Sequence, residues 1–236
     1  MQAVILAGGL GTRLRPLTDT IPKPMVLVRN RPFLEHLFAL LKENGIVDIL
    51  VLTGHLGEVI ENHFGDGSTY GLRVVYSQEH EPLGHGGALH LAYEKLADSF
   101  VLLYGDNFLP IDYRDLVNFY TKSGKEGVVV SYQFKDESER GDNYSNNLCV
   151  DEEGCVTGYE QRGVPNGTHA EAGAMVFNKK VLEYIGEGYT DAIGNVLFPE
   201  LIRRGELITY VSPHRFYDIG TPQRLKEAEV FFGSRK

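Results

Sequence analysis

The chain has 236 residues, 42% of them hydrophobic and 23% charged, which suits one large α/β domain or two small ones around a real core. Its net charge of −9 argues against general nucleic-acid binding, which needs a basic face, yet allows a small anionic ligand wherever cations are concentrated locally. No apolar stretch approaches the roughly 20 residues that span a bilayer, so no membrane partner is expected.

The predicted elements alternate regularly through the first half. Residues 3–7, AVILA, read as a short buried strand stopped by glycine. Residues 32–44 read as a helix, with Pro32 in its first turn, an apolar stripe through Phe33, Leu34, Leu37, Phe38, Leu40 and Leu41, and Gly45 as its stop. A buried strand at 48–53, a helix near 57–64 and a strand at 72–76 follow. A helix with a glycine-rich start is expected at 84–96, and a strand at 100–104 runs into Gly105-Asp106. This order implies right-handed crossovers and a mainly parallel sheet with helices on both faces. Beyond it, strands are expected at 127–134 and 170–177, a polar mobile loop at 135–146 and a closing helix at 222–231. No linker or repeat divides the chain. One domain over 1–236 is the simpler reading, with 1–110 binding a nucleotide and 111–236 completing the pocket.

The chemistry concentrates after the first strand. Gly8-Gly9-Leu10-Gly11-Thr12-Arg13 puts three glycines and an arginine at the carboxyl end of a buried strand. Ligands bind there in open parallel sheets. Backbone N–H groups without a neighbouring Cβ can approach phosphate oxygens, and Arg13 adds a charged fork. The spacing matches neither the P-loop nor the full dinucleotide fingerprint. In Pro22-Lys23-Pro24 the flanking prolines restrict the backbone under a lysine. Asp106 follows a buried strand and Asp218 lies far along the chain. If they converge, two carboxylates suit Mg²⁺, which prefers oxygen ligands shared with substrate phosphates.

Leu6-Ala7-Gly8-Gly9-Leu10-Gly11-Thr12-Arg13-Leu14, followed by Pro22-Lys23-Pro24, resembles the signature of the sugar-1-phosphate nucleotidyltransferases. Weaker likeness continues through Glu81-Pro82-Leu83-Gly84, Gly105-Asp106-Asn107, Ala172-Gly173 and residues 217–222. The resemblance implies a Rossmann-like α/β fold and a reaction in which an NTP and a sugar 1-phosphate give an NDP-sugar and pyrophosphate, with Mg²⁺ as cofactor. It implies catalytic roles for Arg13, Lys23 and Asp106 and a metal held by Asp106 and Asp218. The nucleotide would lie on Leu6, Ala7, Gly8, Gly9, Gly11, Thr12, Glu79, Gly84 and His85. The sugar phosphate would lie on Asn107, Glu160, Gln161, Arg162 and Gly173. At 160–162, Gln161-Arg162 stand where relatives often carry a Glu-Lys pair, which puts the sugar in question.

Glu79 occupies the position from which relatives read the base edge. A carboxylate only accepts hydrogen bonds, which suits the adjacent N1–H and amino group of guanine. GTP is therefore the first expected nucleotide, and the resemblance to the short members of the family implies a heptose or mannose 1-phosphate as its partner. A UTP, CTP or dTTP-dependent relative acting on another sugar phosphate or on choline phosphate is the second. A non-catalytic nucleotide-sugar sensor is a third, disfavoured because sensing does not need two metal carboxylates. Cys149 and Cys155 form no metal quartet or disulfide framework, and no basic segment precedes the first apolar run. A cytoplasmic protein without a signal peptide is expected, and a homodimer is expected by analogy alone.

Overall fold

The computed structural model describes residues 1–140, 144–186 and 193–234. Its centre is a seven-stranded sheet: Gln2–Leu6 (β1), Asp48–Thr53 (β2), Arg73–Gln78 (β3), Ser99–Tyr104 (β4), Gly127–Tyr132 (β5), Ala170–Asn178 (β6) and Leu207–Val211 (β7). The order across the sheet is β7-β5-β6-β4-β1-β2-β3. β1 pairs in parallel with β4 and β2, β2 with β3 and β5 with β7, whereas β6 runs antiparallel between β4 and β5. The sheet is thus mostly parallel, as the alternation of elements predicts.

The central strands read as unbroken apolar runs because both faces of the sheet are covered. Ile5, Val51, Val101 and Leu103 face one core with Phe33, Leu34, Leu37 and Phe38 of the helix Phe33–Glu43 (α1). The helices Gly57–Phe64 (α2) and Tyr113–Ser123 (α4) add Ile60, Phe64, Tyr113 and Leu116 to it. Val4, Leu50, Leu102 and Met175 face a second core, closed by Leu89 of Gly84–Leu91 (α3) and by Phe198 and Leu201 of Phe198–Arg204 (α5). The closing helix, Pro222–Ser234 (α6), returns to the first core through Ala228.

Several boundaries differ from the expectation, each for a local reason. Pro32 precedes α1 rather than entering it, with an extended ψ of 137°. α3 ends at Leu91, and a separate tight turn, Tyr93–Lys95, carries the chain into β4. The expected elements do not include α4, α5 and β7, although β7 is a mostly apolar run, LITYV. Only Tyr113 and Leu116 of α4 are buried, and the helix is defined by its ends: the Asp112 side chain accepts from Arg114 N, and Gly124 closes it with φ 65°. The expected loop at 135–146 contains a helical turn at Glu137–Arg140, where Asp136 Oδ1 accepts from Ser138 N and Glu139 N at 2.9 Å each. Residues 141–143 of that segment lie outside the described residues. A hairpin of Leu148–Val150 and Val156–Tyr159 extends from the sheet beyond it.

Candidate active-site cleft

The carboxyl ends of β1, β2, β3 and β4 open onto one cleft of about 970 Å³. The turn after β1 forms its floor, with Leu6 to Arg13 all on the lining. The turn is held from within: Thr18 Oγ1 donates to the Gly11 carbonyl at 2.8 Å, and Leu14 N bonds the same oxygen at 3.0 Å. Leu14 is buried, which anchors the turn and leaves Arg13 exposed at the rim. Lys23, from the short turn Lys23–Met25, enters from the side.

Asp106 and Asp218 are neighbours in space although 112 positions separate their numbers. The strand pair Asn107–Phe108 and Tyr217–Asp218 runs antiparallel with Asp218 opposite Asn107, and Ile219 N donates to the Asp106 carbonyl at 3.0 Å. Backbone pairing therefore brings the two carboxylates to one wall. Lys23 Nζ forms an ion pair with Asp106 Oδ2. Asp218 is more enclosed. Arg224 Nη1 reaches its two oxygens at 3.2 and 3.1 Å, the Tyr144 hydroxyl donates to Oδ2 at 2.8 Å, and Gly220 N donates to Oδ1 at 2.7 Å. Burial, reinforced by the Asp218 charge, pushes the Tyr144 hydroxyl well above its ordinary range, so it stays a donor. Two carboxylates facing a cleft that also holds Lys23 and Arg13 fit a divalent ion that draws its other ligands from substrate phosphates. Among the described residues no cluster of three or more acidic, histidine or cysteine side chains forms a closed metal cage.

Glu79 stands at the top of the cleft between the ends of β1 and β2. A Cβ on Gly8 or Gly54 would lie 3.0 or 2.9 Å from its Oε1, so small residues just past both strand ends make room for the carboxylate. Leu83 N donates to Oε2 at 3.1 Å. Burial raises the Glu79 carboxyl and this donor partly offsets the rise. Gly84 and His85, at the start of α3, line the same end, with the His85 ring 5.6 Å from that of Tyr104.

The opposite end is organised by a bulge in β6, where the pairing with β5 shifts between Glu171 and Met175. Gly173 has φ +82°, and a Cβ there would lie 2.1 Å from Asn107 Nδ2. Both the backbone conformation and the space demand glycine. Asn107 is buried and donates to the Ala172 carbonyl at 2.8 Å, so its amide orders the bulge. Gln161 lines the cleft, but Glu160 and Arg162 do not: both are exposed, on a turn closed by Gly163 N to the Glu160 carbonyl at 2.9 Å. The carboxyl on this side is instead Glu171, whose Oε1 accepts from Gly173 N at 2.5 Å. Burial pushes it up to about 7, with the Asp106 charge adding to the rise. Sequence reasoning passed over Glu171, Tyr144 and Arg224. Glu171 sits two residues before a glycine already singled out, the one signal that could have found it. Nothing local distinguishes Tyr144 or Arg224 from surface residues.

A nucleotidyl transferase family match covers residues 2–235. The mannose-1-phosphate guanylyltransferase of Mycobacterium tuberculosis is 33% identical over 229 residues, 94% of this chain and 62% of that protein. The UTP–glucose-1-phosphate uridylyltransferase of Synechocystis is 32% identical, over 87% of this chain and 56% of that protein. This chain therefore spans less than two thirds of the length of these relatives. The D-glycero-alpha-D-manno-heptose 1-phosphate guanylyltransferase of Aneurinibacillus thermoaerophilus is 30% identical over 97% of both chains. The crystal structure of HddC from Yersinia pseudotuberculosis superposes with a TM-score of 0.82 at 26% identity, over 98% of this chain and 99% of that one.

Proposed function

The chain belongs to the nucleotidyl transferase family, and from that premise we propose that it joins a nucleoside triphosphate to a sugar 1-phosphate, releasing pyrophosphate. The observation that carries the reading is the meeting of the glycine turn, Arg13, Lys23, Asp106 and Asp218 on one cleft. A sugar phosphate oxygen attacks the α-phosphorus and pyrophosphate leaves, so alignment and charge neutralisation are the main demands on the protein. The amides of the glycine turn and Arg13 hold the β and γ phosphates. Lys23 turns from Asp106 to the α-phosphate and the incoming phosphate. A phosphate monoester is largely ionised near neutral pH, so neither a protein nucleophile nor a strong base is needed. Asp106 and Asp218 hold Mg²⁺, which when bound neutralises charge on the phosphate oxygens. Residues 1–110 take the nucleotide and 111–236 complete the sugar side, with Gln161, Gly173 and Glu171 facing it. The two free thiols favour a cytoplasmic location. A homodimer rests on analogy with relatives.

The relatives divide between guanylyl and uridylyl transfer, so base choice rests on Glu79. Its carboxylate is fixed by Leu83 N and aimed across Gly8 and Gly54. Such an acceptor pairs with the N1–H and amino group of guanine and opposes the carbonyls flanking N3–H in uracil and thymine. GTP is the proposed donor, and mannose or heptose 1-phosphate the proposed acceptor. The test is pyrophosphate release measured with four NTPs against a panel of sugar 1-phosphates in Mg²⁺. GTP should give the highest kcat/KM, and Glu79→Gln should lower it about 10- to 100-fold, the value of a hydrogen bond to a charged group, while UTP loses less. Release with no pair would overturn the enzymatic reading, and a preference for UTP would overturn the assignment of Glu79.

A further inference from the structure

Asp218 and Arg224, six residues apart, meet the distant Arg13 over Gly220. A Cβ built there would lie 2.6 Å from Asp218 Oδ1, 3.4 Å from Arg224 Nη1 and 3.5 Å from Arg13 Nη2. Any side chain at 220 would displace the carboxylate, so the glycine is a requirement of this convergence. Arg224 comes from α6, far from the glycine turn, and it is not placed by its surroundings as a surface residue would be. Its side chain is 14% exposed and that of Asp218 is 11% exposed. Its guanidinium lies 4.1 Å from the centre of the Tyr144 ring, whose hydroxyl holds the same carboxylate. Arg224 is thus stacked, ion-paired and still on the cleft lining.

This arrangement conflicts with cation binding at Asp218 while Arg224 stays in place. Both oxygens of Asp218 already accept from Arg224. Tyr144 and Gly220 N are neutral donors that a divalent ion tolerates as neighbours. Arg224 is not: a guanidinium keeps its charge under all ordinary conditions, and at contact distance it repels a second cation. An ion can take Asp218 only if Arg224 exchanges its carboxylate for another anion. Arg13, which the functional reading assigns to phosphate, is close beside it.

We propose that Arg224 is a phosphate-binding residue that stands as the counter-ion of Asp218 until substrate arrives, so that polyphosphate and divalent metal bind synergistically. The polyphosphate draws the guanidinium from Asp218 and frees the carboxylate for the metal, while the metal in turn releases Arg224 toward the phosphate. The coupling is reciprocal by thermodynamic necessity. Lys23 and Asp106 repeat the device on the other carboxylate. The inference rests on the metal-and-triphosphate reading of the cleft and adds to it a residue and an order of energetic coupling.

The test uses the full chain and base-independent probes, Mn²⁺ followed by electron paramagnetic resonance and inorganic tripolyphosphate followed by calorimetry. Wild type should bind Mn²⁺ weakly alone and at least about tenfold more tightly with tripolyphosphate present, a coupling of ordinary allosteric size. Arg224→Gln removes the competing cation. It should bind Mn²⁺ alone about fivefold more tightly, bind tripolyphosphate about tenfold more weakly for want of a charged donor, and lose most of the coupling. Arg224→Lys keeps the charge without the planar fork and should fall between the two. Equal Mn²⁺ affinity and equal coupling in wild type and Arg224→Gln would overturn the proposal. If Arg224→Gln does not fold by circular dichroism, unchanged coupling in Arg224→Lys overturns it. Wild type that binds no tripolyphosphate with any divalent metal would sink the functional reading itself, a separate result.

Discussion

At the scale of single residues, the cleft is a set of charges whose partners are already present. Lys23 offsets Asp106 and Arg224 offsets Asp218, so the carboxylates bury without the full desolvation cost of lone ions. Glu79 and Glu171 are the exceptions, and Glu171 is the more strongly displaced. Glu171 accepts from Gly173 N, but no cation among the described residues offsets its burial, and its carboxyl is pushed up to about 7 from an ordinary 4.5. The folded chain therefore holds a proton on Glu171 through a range where the unfolded chain has released it. Folding takes up a proton between those values, and the contribution of Glu171 to stability falls as pH rises through that window. Subtracting the urea-unfolding free energy of Glu171→Gln from that of wild type should isolate this contribution. The difference should fall by on the order of 2 kcal/mol between pH 4.5 and pH 7. A difference that stays level would show that Glu171 ionises in the folded chain as it does in the unfolded one.

At the scale of elements, the carboxylates are placed by a two-residue ribbon too short to stand by itself. Tyr217–Asp218 pairs with Asn107–Phe108, and the ribbon is held by α6 through stacked aromatics. The Tyr217 ring lies on Phe231 at 3.9 Å and 18°, and Phe232 packs on Phe108 at 4.8 Å, Phe33 at 6.2 Å and His36 at 4.2 Å. Phe232→Ala would leave a void between α1, α6 and the ribbon. It should cost about 2–4 kcal/mol of stability by chemical denaturation. It should also lower turnover in the surviving folded fraction, because Asp106 and Asp218 lose their common support. Lost stability with full turnover per folded molecule would show that the ribbon holds its register without α6. The closing helix was legible from residues 222–231. Its role in carrying Arg224 to the cleft was not, because a lone arginine near a helix start has no local mark of its destination.

At the scale of the molecule, a net charge of −9 surrounds a cleft that gathers Arg13, Lys23 and Arg224 from both ends of the chain. Cations from the glycine turn and from α6 meet only when the fold is closed, so a polyphosphate bound there ties the first and last elements together. Ligand that binds only the folded state shifts the unfolding equilibrium by mass action. Mg²⁺ with GTP at about 100 times its Kd should add about 2.7 kcal/mol and raise Tm by roughly 5–10 °C for a chain of this size. Scanning fluorimetry reads this directly, and Mg²⁺ alone should give a much smaller shift. An equal shift from the metal alone would contradict binding of metal and phosphate together.

The glycine turn, Arg13, Lys23 and the strands beneath them are written within consecutive residues. Their identity follows from local constraints: buried parallel strands need unbroken apolar runs, and close approach to phosphate needs missing Cβ atoms. The same holds for the α/β alternation of the first half, where α1 and α2 carry apolar stripes. What only the tertiary structure decided is which distant groups meet. Asp218 opposite Asn107, Arg224 beside Arg13 and Glu171 on the cleft lining depend on strand pairing across long separations and on a bulge in β6. A one-residue change of register turns a side chain to the other face of a strand. Spacing along a single chain carries no record of that register, and so the partners of the cleft emerge only once the sheet is assembled.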